Sequence, residues 1–142
     1  MNLENGQHNY TVYAIDEDMN RVSVYRNFLV SGTPVSSCQD LNTANTIYYL
    51  SNNVSDVDTC IYVNAENITI DCQGYRITYS TNGGNGEYGI ASDQYGTTVK
   101  NCHILDGNPT DDQWTPGILF NVGANGSTIF NNFINGDSIG VW

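Results

Sequence analysis

The chain has 142 residues, enough for one ordinary domain or for a domain plus a fragment. Four Lys and Arg stand against fifteen Asp and Glu, a net charge of -11. That balance excludes the positive surface that a nucleic-acid backbone or an anionic membrane face requires, and no run of about 18 apolar residues is present to span a bilayer.

With 14 Gly, 10 Tyr, Asn-rich turns and few Leu, Ala, Glu or Lys, the composition disfavours long helices and predicts an all-β chain of short strands. The opening MNLENGQHNY lacks the basic start and apolar core of a secretion signal. Two features nevertheless point outside the cell. Four cysteines in a short, acidic, Lys-poor β chain suit an oxidising compartment. Asn9, Asn53, Asn67 and Asn125 each open an Asn-X-Ser/Thr sequon and are glycosylation candidates. Both readings agree if these residues are a piece of a longer secreted protein.

Taken in order, His8 to Ile15 and Arg21 to Val30 alternate, with Tyr10, Val12 and Ala14 on one face of the first and Val22 and Val24 on one face of the second. The acidic turn 16–20 lies between them, so residues 1–33 read as a β-hairpin. Residues 31–37, SGTPVSS, read as a linker. Residues 34–59 follow as linker and N-terminal cap, since the end of a solenoid exposes unpaired backbone that a nonidentical unit must close.

From Cys60 the chain counts in rungs. Asn67-Ile68-Thr69-Ile70-Asp71-Cys72 aligns with Gly96 to Cys102 and with Gly126 to Asn132, so that Ile70, Val99 and Ile129 recur 29 and 30 residues apart. A fixed period of that size built from strands marks a solenoid. Three short strands per period predict a right-handed parallel β-helix of about three coils over residues 60–142, truncated at its C-terminal end. The Asn-Gly dipeptides at Asn82, Asn85, Asn125 and Asn135 are hairpin-like, but hairpins alone do not reproduce the register.

Two resemblances accompany these readings. GQHNYTVYAIDEDMNRVSVYRNFLVSG resembles the last two strands of a bacterial or archaeal Ig-like surface domain, with Met19 where that family usually has Gly. CIYVNAENITIDCQGYRI, GIASDQYGTTVKNCHILDG and GILFNVGANGSTIFNNFINGDSIGVW resemble the parallel β-helix repeat proteins, which include the pectate-lyase-like and NosD-like proteins and large archaeal surface proteins. That resemblance implies the fold; it leaves lyase, hydrolase, adhesin and scaffold open.

Equivalent residues of successive rungs stack about 4.8 Å apart. Asp71 and Lys100 are then expected as an external ion pair with Phe130 beyond, and Asn101 and Asn131 as an amide ladder. Cys72 and Cys102 fall one rung apart and could meet, with Cys38 and Cys60 tying cap to rung; a Cys60 to Cys72 pairing stays open. Zinc-type cysteine spacing is absent, and His8 and His103 are isolated.

Two long connections, Tyr79 to Tyr88 and Asp106 to Pro116, fall at one corner of successive coils and must project from one edge. Tyr88, Asp106, Asp111, Asp112 and Trp114 would lie there, residues suited to carbohydrate contact, with Asp111 and Asp112 weak Ca²⁺ candidates. The alternative is that Trp114 is a lid and the acids are solvated turn residues. Catalysis by a lyase or hydrolase needs a poised base or paired carboxylates. The rungs offer only Arg76 and Lys100 as bases, and the acids sit on a Gly-Asn-Pro loop poorly suited to rigid catalysis. The expectation is therefore a noncatalytic, extracellular, carbohydrate-contacting module with no required cofactor. A polysaccharide-active enzyme fragment and a scaffold that self-associates end to end are the rivals.

Overall fold

A computed structural model describes residues 6–15, 17–18, 21–109, 114–135 and 139–142, with backbone alone at 6–9 and 26–30. The chain divides after Gly32 into two units, Met1–Gly32 and Thr33–Trp142. The first holds β1 (Gly6–Ile15) and β2 (Arg21–Val30), paired antiparallel. Val12 faces Val24 and Ala14 faces Val22, which puts the alternating apolar residues of both strands on one side. On the other side the Arg21 guanidinium sits 3.7 Å from the centre of the Tyr13 ring, a cation–π contact. Of the acidic turn, Asp16, Met19 and Asn20 lie outside the described residues.

The second unit begins with β3 (Thr33–Val35), β4 (Gln39–Leu41), β5 (Ile47–Leu50), β6 (Val54–Ser55), β7 (Ile61–Val63), β8 (Thr69–Asp71) and β9 (Arg76–Tyr79). It continues with β10 (Ile90–Ser92), β11 (Thr98–Lys100), β12 (His103–Asp106), β13 (Ile118–Phe120), β14 (Thr128–Phe130) and β15 (Phe133–Asn135). Three sheets result: a first of β4-β7-β10-β13, a second of β3-β5-β8-β11-β14 and a third of β6-β9-β12-β15. The pairings within them are parallel. From β4 onward the chain visits first, second and third sheet in turn and returns one strand further along, an all-β stack compatible with a β-helix or solenoid.

Ile70, Val99 and Ile129 stand in register on adjacent parallel strands, as the period predicts. Ile61, Ile90 and Ile118 form a matching file in the first sheet, and Ile77, Ile104 and Ile134 one in the third. Three files meet in the middle of each coil. Ile61, Ile77, Ile90, Val99, Ile104 and Ile118 are fully buried, each contributing on the order of 1.5–3 kcal/mol by removal from water.

The segment expected to cap the stack is itself coil. β4, β5 and β6 head the three sheets or extend them in register, Gln39 beside Ile61, Ile47 beside Thr69 and Val54 beside Ile77. Even the linker residues Thr33–Val35 pair with β5. This coil was hidden because it is shorter than the later ones: a tight turn at Asp56–Thr59 replaces the long connection, so its partners lie 22 and 23 residues on, whereas later partners lie 27 to 30 residues on.

Corners explain the Asn and Gly content. Asn45, Asn67, Gly96 and Gly126 adopt φ of 58°, 56°, 72° and 71° at the bend between first and second sheets, while Asn101 and Asn131 adopt 55° and 54° between second and third. Left-handed backbone is open to Gly and tolerated by Asn. Asn125-Gly126 therefore turns a coil corner instead of joining a hairpin.

Asn101 Nδ2 donates to Asp71 Oδ1 at 2.9 Å and Asn131 Nδ2 donates to Asn101 Oδ1, so the amide ladder starts on a carboxylate. Lys100 Nζ lies 3.1 Å from Asp71 Oδ2. Burial pushes the Asp71 carboxyl up, but bonds from Asn101 and the Gln73 amide, with Lys100, outweigh it and hold its pKa below the usual 3.8. A carboxylate lowered in this way stabilises the fold above its unfolded pKa and loses that contribution as pH falls through the folded one. Asp71→Asn is thus expected to be less stable than the parent at neutral pH, with the gap closing below about pH 4. A gap that persists unchanged at pH 2 in urea titrations would remove the ionic part of this account.

The cystines pair Cys38 with Cys60 and Cys72 with Cys102, each across adjacent coils. Cys60 to Cys72, open on sequence, is not used. Two disulfides suit an oxidising environment. Among the described residues no helix is long and apolar enough to cross a membrane.

Candidate functional site

In each strand of the first sheet the middle residue faces away from the core, so Asp40, Tyr62, Ala91 and Leu119 form an outer row. Outward residues of a solenoid are ordinarily wet. Here Ala91 and Leu119 are only 7% and 8% exposed, and Tyr88, at the end of the long connection between third and first sheets, lies beside them.

Those connections, 80–89 and 107–117, share one corner and are bonded to one another. Gly86 N donates to Trp114 O at 3.1 Å and Trp114 N donates to Asn85 Oδ1 at 3.0 Å. Beneath them the Tyr79 hydroxyl, fully buried, donates to Thr115 O at 2.7 Å. Gly89 and Gly117 let the returning backbone approach: a Cβ on Gly89 would meet Ile104 Cγ2 at 2.4 Å and the Gly117 carbonyl at 2.6 Å. The two loops therefore make one braced edge.

Along that edge the rings of Tyr88 and Trp114 meet edge to face at 5.6 Å, and those of Trp114 and Trp142 at 5.9 Å. Next to Tyr88 lies a cavity of about 250 Å³ whose floor is Ala91 and Leu119. Tyr62 and Tyr88 form its aromatic walls, and Asn64, Asp93 and Asn121 supply polar side chains, while the Ser92 hydroxyl is buried against that of Thr97. Burial pushes the Tyr88 phenol pKa up, and Tyr62 adds to it, so the hydroxyl stays a neutral donor and acceptor. An apolar floor, aromatic walls and a few amides can hold the apolar face of a ring while bonding its hydroxyls.

The residues singled out on sequence take different places. Tyr88 lines the cavity. Trp114, 37% exposed, packs behind Tyr88 between two rings. Asp106 braces the loop, its Oδ2 accepting from the buried Thr115 hydroxyl at 2.8 Å and its Oδ1 from Asn108 N at 3.0 Å. Asp111 and Asp112 lie outside the described residues. Among the described residues no group of three or more His, Cys, Asp or Glu is arranged to hold a metal ion.

Lys100 is on the second sheet, paired with Asp71, and Arg76 opens β9 on the third. Neither lines the cavity. Of the sequon residues, Asn53 Oδ1 accepts from Arg76 N at 2.9 Å, Asn67 Nδ2 donates to Asn45 Oδ1 at 3.2 Å, and Asn125 is exposed at a corner. The side chain of Asn9 lies outside the described residues.

Sequence reasoning missed Tyr62, Ala91, Leu119, Asn64, Asp93 and Asn121. The available signal was the apolar run Ile118-Leu119-Phe120, since a strand with no polar alternation has both faces covered; Tyr62 is 44% exposed and carried no such signal. Compared with known proteins, the chain matches no family model, no curated protein and no solved structure.

Proposed function

We propose that this chain is a noncatalytic, extracellular, right-handed parallel β-helix module that binds carbohydrate on the outer face of its first sheet. The observation that carries the reading is the groove beside Tyr88, where two tyrosines, an apolar floor and a ring of short polar groups converge on the outside of a rigid stack. Right-handed crossover between parallel strands is the rule for L-residues, and it supports the finer description of the fold. Paired cystines support an oxidising, extracellular setting. The braced loop edge supplies the preorganisation that weak sugar contacts need.

Among the described residues the polar ring contains one carboxylate, Asp93, where hydrolysis needs a pair. Tyr88→Ala is expected to weaken glycan binding at least tenfold, about 1.4 kcal/mol, while leaving thermal stability close to the parent. Trp114→Ala is expected to act through the position of Tyr88. Calorimetric titration of the full chain with soluble oligosaccharides checks both; affinity that survives Tyr88→Ala would place the binding elsewhere.

A further inference from the structure

The charge around this groove carries the reading one step further, to the class of sugar. Among the described residues, its ionisable lining groups are the two phenols and the carboxylate of Asp93, with no cation. Directly adjoining it, with Tyr62 as the shared wall, is a second cleft of about 490 Å³ lined by Asp40, Asp56, Asp58 and Glu87 among others, again with no cation.

The sequence contains four basic residues in all. Two of them, Arg21 and Arg26, belong to the hairpin unit, and Arg21 is stacked on Tyr13. The other two serve the second and third sheets, where Lys100 already has Asp71 as its partner. A uronate carboxylate entering the groove would meet the charge of Asp93 and of the adjoining acidic cleft, and neither Arg76 nor Lys100 of the coil unit lines it to receive a carboxylate. A divalent ion bridging the two would need clustered ligands, and among the described residues no such cluster exists.

We infer that the groove on the first sheet selects uncharged sugars and rejects uronic-acid polymers. This rests on the carbohydrate reading above and adds the exclusion to it. Rejection is electrostatic, since the ring-stacking walls do not distinguish a hexose from its uronic acid. It is therefore expected to weaken with salt, because the groove is open to solvent and screening acts over about 8–10 Å at 0.1–0.15 M.

The test titrates the full chain with hexamers of neutral glucose, mannose and galactose and with hexamers of galacturonic and mannuronic acid, with and without Ca²⁺, at low and high salt. The expected result is binding of at least one neutral hexamer and at least tenfold weaker binding of every uronate, with the difference shrinking in high salt and in Asp93→Asn. Asp93 is exposed, and Asn keeps its shape. A uronate that binds as tightly as the best neutral hexamer, with or without Ca²⁺, overturns the inference while leaving the carbohydrate reading intact. A discrimination that neither salt nor Asp93→Asn changes overturns its electrostatic basis. Failure of every hexamer to bind removes the carbohydrate reading, and this inference falls with it.

Discussion

Replacing Cys72 and Cys102 together by alanine is expected to destabilise the coil stack by about 3–4 kcal/mol, the largest single effect in the chain. The bond closes a loop of sequence separation 30. Cross-linking a loop of that size removes roughly 3.6 kcal/mol of freedom from the unfolded chain in the chain-entropy account. Both cysteines are fully buried, so the two alanines also leave packing vacancies between coils.

The Cys38–Cys60 bond closes a loop of separation 22, and its Cys38 end is only partly buried. Removing it is expected to have a slightly smaller effect, about 3 kcal/mol. Guanidinium denaturation of the oxidised parent and the two double variants measures both. Losses below about 1 kcal/mol for Cys72 and Cys102 would mean that the unfolded chain is not constrained by this link.

Ile104→Ala is the second large effect, about 3–4 kcal/mol. Ile104 stands between Ile77 and Ile134 in the third sheet and is fully buried. Its Cγ2 methyl also fills the space beside Gly89, where the long connection returns to the first sheet. Truncation removes packing from two coils and from the root of the loop edge at once.

Ile134 holds the equivalent place one coil on but is only partly buried, so Ile134→Ala is expected to lose about 1–2 kcal/mol. The contrast is the point of the experiment. Equal losses at the two positions, read from the denaturant midpoint at constant slope, would contradict the burial gradient along the file.

The order of the coils was legible in the residues because a solenoid repeats its local physics. Ile70, Val99 and Ile129 each follow a Thr at the centre of their strand, and a three-residue strand with one inward aliphatic reads the same at each turn. The ion pair of Asp71 with Lys100 and the Asn101–Asn131 ladder followed from the same register.

The coil of β4 to β6 was not legible, because its connection from third to first sheet, 56–60, has five residues where 80–89 has ten, which breaks the later period. Residues 56–59 turn directly where 80–89 make a loop. Both cystine pairs followed the sequence reading; Cys38 meets Cys60 because Gln39 lies beside Ile61 on that coil.

What the residues determined by themselves is the repeating all-β plan, the projecting corner and the excess of negative charge, because alternation, turn chemistry and titratable groups are local properties. Only the tertiary structure decided that Tyr62, Ala91 and Leu119, separated by 29 and 28 positions, share one surface with Tyr88. That surface exists because successive coils set Tyr62, Ala91 and Leu119 side by side and the connection ending at Tyr88 returns beside them, and such a meeting is set by the path of the backbone through space, which no window along the chain contains.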